Sequence, residues 1–196
     1  MTETKLNDSV FSCNLFPPNK FDAINTSQKK GGGGVLISVN KQYKSEIIES
    51  GENGGCEQIW VKIKNKNKSI FLGALYIPPK SCNVIYERHI KMIKKICQSV
   101  DNNTTIILYG DFNMPSLNWM QSDEFENTFI PINTMHEFEE NVIDTCSDLG
   151  LHQMNYFKND NDHLLDLFWS NQHDSCICNS CDNIINYNEA HHKPKY

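Results

Sequence analysis

The sequence predicts an α+β fold in which two β-sheets pack face to face with helices on their outer sides. Three observations carry this expectation. Short apolar runs bounded by Gly, Pro and Asn recur along the chain, as strands do. Two longer segments place their apolar residues at helical spacing instead. The strands and helices are grouped, without the regular strand–helix alternation of a parallel α/β sheet. The 196 residues suit one domain with a real hydrophobic core. No internal repeat or linker divides the chain, so residues 1–196 are read as a single domain.

The elements follow in order. Gly31 to Gly34 form a glycine run that opens into Val35, Leu36, Ile37, Ser38 and Val39, a tight turn feeding a buried strand. A phosphate-binding loop would need a following helix and a Gly-Lys-Ser/Thr ending, and neither is present. Residues 58–63 alternate, with Ile59, Val61 and Ile63 on one face. Residues 69–76 form a further apolar strand, stopped by Pro78 and Pro79. Residues 86–100 carry Ile90, Ile93, Ile96, Cys97 and Val100 at helical spacing, and the run 101–103 ends that helix. Residues 105–109 are a continuous apolar strand, expected to be buried on both faces and closed by Gly110. A weaker helical pattern covers 137–149, with Gly150 as its C-cap. Residues 164–169 are a short strand, and Ile184 and Ile185 mark a last weak one.

Composition limits the function classes. The net charge of −6 argues against a general nucleic-acid coat protein. It allows an enzyme that works with carboxylates and a local cationic patch; the lysines at 29–30, 62–68 and 91–95 read first as solvated surface. No apolar run approaches the roughly 20 residues needed to cross a bilayer. The first residues lack a secretory leader's layout, so a nuclear or cytoplasmic setting without membrane contact is expected. The eight cysteines are scattered, several inside apolar periodic segments, as reduced core cysteines are. Cys176, Cys178 and Cys181 could supply three legs of a zinc site, with His173 or His192 as the fourth. Their spacing is not the paired two-residue spacing of structural zinc sites, so free thiols are preferred.

The most informative segment runs from Ile106 through Gly110, Asp111, Phe112 and Asn113 to Pro115. A buried strand delivers an aspartate at its C-terminal end, and alternation sends Asp111 and Asn113 to one side. A carboxylate and an amide side by side can hold a water and a phosphate oxygen together. The plainer reading is a polar turn after a strand.

Gly110-Asp111-Phe112-Asn113, with Thr2-Glu3-Thr4 upstream and Tyr76-Ile77-Pro78-Pro79 between, resembles the endonuclease/exonuclease/phosphatase superfamily. The nearer resemblance is to the endonuclease domain of insect non-LTR retrotransposons of the jockey type. Gly32 to Ile37, Glu57 to Lys62, Trp119, and Leu165-Asp166-Leu167 followed by Ser170-Asn171 continue the series in order. The resemblance implies a deoxyribonuclease-like, four-layer α/β/β/α sandwich, here incomplete at both termini. The family's domain begins one strand and one helix before the Thr-Glu-Thr segment and has a final strand beyond the last residues here.

It also implies roles and partners. Glu3 would be the carboxylate ligand of a catalytic Mg²⁺, with Mn²⁺ as a substitute; one carboxylate suffices because magnesium keeps waters and phosphate oxygens. Asp111 would orient or deprotonate the attacking water. Asn113 would hold the scissile phosphate and fix Asp111, and Tyr76 would reach the phosphate through its hydroxyl. Asp166 would accept a hydrogen bond from a histidine; unpaired, it would be costly to bury. That histidine is His192 if the closing motif aligns with Glu189 as its acid, or His191 if Ala190 takes that place. The substrate would be DNA, with a reverse-transcriptase domain expected in the full-length element. Two rivals stand beside this reading. One is a phosphoesterase of the same fold acting on a lipid or inositol phosphate. The other is a degenerate copy without activity, motivated by the altered closing motif and the incomplete termini.

Overall fold

The computed structural model describes residues 16–26, 33–52, 57–65, 68–101, 103–133 and 136–179. Ten strands and two helices are described among them. β1 (Phe21–Thr26) and β2 (Val35–Asn40) pair antiparallel as a two-stranded ribbon. The other eight strands form one mixed sheet in the order β3-β4-β5-β6-β10-β9-β8-β7. These are β3 (Lys44–Glu52), β4 (Glu57–Asn65), β5 (Lys68–Tyr76), β6 (Thr104–Asp111), β7 (Asn118–Gln121), β8 (Phe129–Asn133), β9 (His152–Gln153) and β10 (Asp166–Ser170). The helices are α1 (Asn83–Cys97) and α2 (Glu137–Asp148). β5 and β6 are parallel because α1 carries the chain back between them, whereas β3-β4-β5 are antiparallel.

Side-chain alternation divides the core in two. Ile59 and Val61 of β4, Ala74 and Tyr76 of β5, and Val35, Ile37 and Val39 of β2 pack into one cluster beneath the ribbon. On the opposite face, Trp60, Phe71, Leu75, Ile106, Leu108, Leu167 and Trp169 pack against Tyr86, Ile90, Ile93 and Ile96 of α1 and Val142, Ile143 and Cys146 of α2. Ribbon, sheet and helix pair are therefore successive layers. The glycine at 73 makes room for Trp60: a Cβ there would lie 2.8 Å from three of its ring atoms.

The predicted strands at 35–39, 58–63, 69–76, 105–109 and 164–169 are present, as are both helices. α1 begins and ends three residues earlier than its apolar spacing suggests; Val100 still packs on the core from the turn that follows. β6 is fully buried at Ile106 and Leu108 but only half-buried at Ile107 and Tyr109. The ribbon packs mainly on β3 to β5, and burial of β6 is complete on one face only. The strand expected at Ile184 lies outside the described residues. β1, β3, β7, β8 and β9 carry weak sequence patterns: β3 is a polar edge strand with a register shift between Ile47 and Glu49, β8 contains Pro131, and β9 has two residues.

One buried contact under α1 has a pH consequence. His89 Nδ1 lies 2.9 Å from Gln58 Oε1, and no side of the ring reaches water. Burial pushes its pKa down to about 3 from the ordinary 6.5. The folded protein therefore keeps His89 neutral where the unfolded chain protonates it. Stability from this group is complete above pH 6.5 and is lost as pH falls toward 3. The loss at pH 4 should be on the order of 3 kcal/mol. Urea unfolding of wild type and His89→Leu between pH 7 and pH 4 should show the wild-type curve falling more steeply by that amount. Parallel curves would contradict it.

Candidate active site

The C-terminal ends of β5 and β6 meet the start of β10 at one rung of the sheet. Tyr76 is the register partner of Asp111, and Asp111 is the register partner of Asp166. Across β5 the same rung continues to Glu57 of β4, the partner of Tyr76. Register partners project to the same face. Glu57, Tyr76, Asp111 and Asp166 thus form a row on the ribbon side, with strands spaced by about 4.8 Å. All four are buried, at 0%, 6%, 2% and 5% exposure.

Close backbone approach sets this row. At Gly110 a Cβ would lie 2.2 Å from the Leu75 carbonyl oxygen, so only glycine lets β6 lie against β5 one step before Asp111. The Ile77 N–H donates to the Asp111 carbonyl at 2.9 Å, and the Phe112 N–H to the Leu165 carbonyl at 2.9 Å. The three strand ends are thereby tied together beyond the ladder.

The chain after Asp111 is equally constrained. Asn113 sits in the left-handed region with φ of 49°, which asparagine tolerates better than most residues. Its backbone N–H donates to Asp111 Oδ1 at 2.9 Å, and its side-chain amide donates to the Ile77 carbonyl at 2.7 Å. From α1 the Tyr86 hydroxyl shares its proton between the carbonyls of Phe112, at 3.0 Å, and Asn113, at 3.1 Å. Burial first, then the charges of Asp111 and Glu139, hold the Tyr86 hydroxyl far above its ordinary pKa, so it remains a donor. Beyond this turn, Ser116 Oγ donates to the buried Glu139, whose other oxygen accepts the His136 N–H at the start of α2. Both helices therefore anchor the loop that carries Asn113.

Asp166 is buried and tied through its backbone into the neighbouring strands. Asn155 holds the Asp166 carbonyl through its amide. At the other end of β10, Asn171 clasps β6, accepting from the Ile106 N–H at 2.8 Å and donating to the Thr104 carbonyl at 2.9 Å.

Of the residues expected from sequence, Tyr76, Asp111, Asn113 and Asp166 come together. Glu3 and His192, with Glu189, Ala190 and His191, lie outside the described residues, as does Cys181. Cys176 Sγ lies 3.6 Å from Ser170 Oγ and Cys178 Sγ 3.8 Å from Asn155 Oδ1, partners at opposite ends of β10. No group of three His, Cys, Asp or Glu side chains forms a metal site among the described residues.

Glu57 was visible in the sequence only as part of a resemblance, with no role. In the fold it is fully buried beside Tyr76 and accepts the Gly34 N–H. A carboxylate in an otherwise apolar strand opposite a glycine run was the available signal. Gly33 has φ of 82°, and a Cβ there would lie 2.7 Å from Glu57 Oε1 and 3.0 Å from Tyr76 Cε1. The last two glycines of the run thus cap the carboxylate with backbone.

A sheet end with three carboxylates, a tyrosine and an asparagine, between a ribbon and a helix-backed sheet, has the layout of the phosphoesterase sandwich. The endonuclease-reverse transcriptase family profile matches residues 70–195. The chain belongs to that family and so to the endonuclease/exonuclease/phosphatase superfamily, whose members hydrolyse phosphate esters. Its fold is similar to the endonuclease domain of TRAS1, a telomere-specific non-LTR retrotransposon, with TM-score 0.51 and 15% identity over 76% of this chain and 66% of that one. It is similar to the human Nocturnin catalytic domain, with TM-score 0.59 and 12% identity over 88% of this chain and 68% of that one. It is also similar to the mannosyl-6-phosphatase Bt3783 of Bacteroides thetaiotaomicron, with TM-score 0.50 and 14% identity over 81% and 64%. The chain thus spans just under two thirds of the length of the TRAS1 domain. No curated protein matches the sequence.

The glycine cap yields a test. Gly33→Ala combines a left-handed backbone with a contact on Glu57 and should cost more than about 1 kcal/mol in urea unfolding. Gly150→Ala, also left-handed but with nothing within 4 Å of its Cβ, isolates the backbone part. Equal losses at both positions would mean that the approach to Glu57 has no energetic weight.

Proposed function

We propose that this chain is a metal-dependent DNA-nicking endonuclease domain of a retrotransposon-derived protein. The single observation that carries the reading is the row of Tyr76, Asp111 and Asp166 on one rung, with Asn113 turned back beside it. The family's description as an endonuclease-reverse transcriptase, and the likeness to the TRAS1 endonuclease domain, support DNA as the substrate and a reverse transcriptase as the partner domain.

The residues fit a hard divalent cation held by a single carboxylate: no three carboxylates converge among the described residues, and the neighbouring Asp111 and Asp166 offer oxygen without a thiol or imidazole beside them. Magnesium takes one or two protein carboxylates and completes its shell with water and phosphate oxygens, so Glu3 would suffice to hold it. When bound, Mg²⁺ or Mn²⁺ neutralises charge developing on the phosphate and on the leaving oxygen.

The chain's own groups divide the remaining work. Asp111 accepts the proton of a water poised for in-line attack on phosphorus. The backbone N–H of Asn113 fixes the Asp111 carboxylate, and the Asn113 amide, already anchored on Ile77, offers its second proton to a phosphate oxygen. The Tyr76 hydroxyl donates to the same phosphate. Asp166 orients the imidazole of His192 toward it. Water adds to phosphorus, the bond to the 3′ oxygen breaks, the phosphate stays on the 5′ side, and the leaving oxygen takes a proton from solvent to become the 3′-hydroxyl, the end a reverse transcriptase extends.

Purified protein should nick supercoiled plasmid with Mg²⁺, and Asp111→Ala should slow nicking by about 10²-fold or more. Equal rates for wild type and variant would remove the assignment. Faster release of phosphate from an inositol phosphate than nicking of plasmid would move the substrate class.

A further inference from the structure

We propose that His152 and His173 act as a pH-sensitive latch, closed while their rings are neutral and opened when both are charged. The latch stands apart from the endonuclease reading, at the other end of β10 from Asp166. His152 lies on β9 directly across from Ser170 of β10. His173 follows in the turn after β10. Their ring centroids are 4.7 Å apart with the planes at 70°, edge to face. Phe125, from the connection between β7 and β8, closes the cluster. It stacks on His173 at 4.3 Å and meets His152 edge to face at 5.0 Å. Each ring thus touches the other two, and three separate segments meet in them. The strand pairing at this corner is thin: β9 has two residues, paired with β10 at two positions and with β8 at one.

Two imidazoles in contact take up protons in two coupled steps, and the second is resisted by the first. The charged groups that act on the pair are Asp174, from the turn after β10, and Glu124, from the β7–β8 connection. Asp174 Oδ1 lies 3.2 Å from His173 Nδ1, so the first proton is best placed on His173, where the Phe125 face also favours a cation. The second must then sit on His152, 4.7 Å from that charge. Burial first, and then His173, hold the His152 pKa below the ordinary 6.5, with Glu124 and Asp174 opposing them. A group depressed in this way stabilises the closed cluster above pH 6.5 and withdraws that contribution as the pH falls. The chain beyond the latch runs back along β10. Cys176 Sγ lies 3.6 Å from Ser170 Oγ, and Cys178 Sγ lies 3.8 Å from Asn155 Oδ1, on the side chain that holds the Asp166 carbonyl. Opening the latch therefore frees the start of a segment that reaches the candidate active site.

The test follows the histidine ring signals of the labelled full chain by nuclear magnetic resonance from pH 8 to pH 5, with amide hydrogen exchange in parallel. His173→Phe keeps a ring in the stack and removes one of the two charges. It should raise the pH at which His152 titrates; an unmoved titration would overturn the coupling. Exchange reads the opening itself at Ser122, Ser175 and Cys176, whose N–H groups are hydrogen-bonded within the two turns. Corrected for the intrinsic pH dependence of exchange, opening there should increase about tenfold in wild type between pH 7.5 and pH 5. The amides of β5 are the reference, which separates this local event from the global loss of stability through His89. His173→Phe should remove the increase, and so should the reciprocal His152→Phe. An increase of the same size in wild type and both variants, or none in wild type, would overturn the latch. No readout depends on nicking, so a chain that fails to cut DNA still decides this proposal.

Discussion

The close approach of β6 to β5 at Gly110 is the constraint on which the rest of the site depends. A Cβ at that position would overlap the Leu75 carbonyl, so the strands pair as they do because the residue before Asp111 has no side chain. Once β5 and β6 are in register, Asp111 falls beside Tyr76, and the antiparallel return of β10 brings Asp166 to its other side. Residues far apart in sequence are thereby placed on one line without help from a loop. Loops add precision afterwards, as Asn113 does by folding back in a left-handed turn.

This arrangement is costly, and its surroundings explain how it persists. Burying three carboxyl groups along one row costs them their hydration. The fold answers with donors. Backbone N–H groups of Gly34 and Asn113 reach Glu57 and Asp111. Tyr86 grips the turn carbonyls from the helix side. A sheet end rich in carboxyl oxygens is what the proposed divalent cation, and through it a phosphate, would use. On the proposed reading, the same residues serve both strand pairing and chemistry.

The legible part of the sequence was the part with strong periodicity. The interior strands and both helices announce themselves because one face of each is apolar and packed. Strand β4 is the clearest case: Ile59 and Val61 go to the ribbon and Trp60 to the helices. The marginal strands were not legible, since β3, β7, β8 and β9 are short, polar or interrupted, and exist by pairing with stronger neighbours. Of the site, Asp111 and Asn113 could be read from their spacing after an apolar strand. Tyr76 and Asp166 needed family resemblance, because alone they read as an ordinary strand aromatic and a strand aspartate in want of a partner. Glu57 needed the register. Nothing local distinguishes a buried glutamate at the start of a strand until the partner strand is known.

The central claim is that the end of the sheet bearing Tyr76, Asp111 and Asp166 is where a divalent ion and phosphate meet. Paramagnetic broadening by Mn²⁺, followed residue by residue in the nuclear magnetic resonance spectrum of the labelled protein, tests it most directly. The account predicts early broadening at residues 76, 111, 113 and 166, with signals at the opposite end of the same strands, residues 69, 104 and 171, retained. Broadening centred elsewhere, or spread evenly over the surface carboxylates, would contradict it.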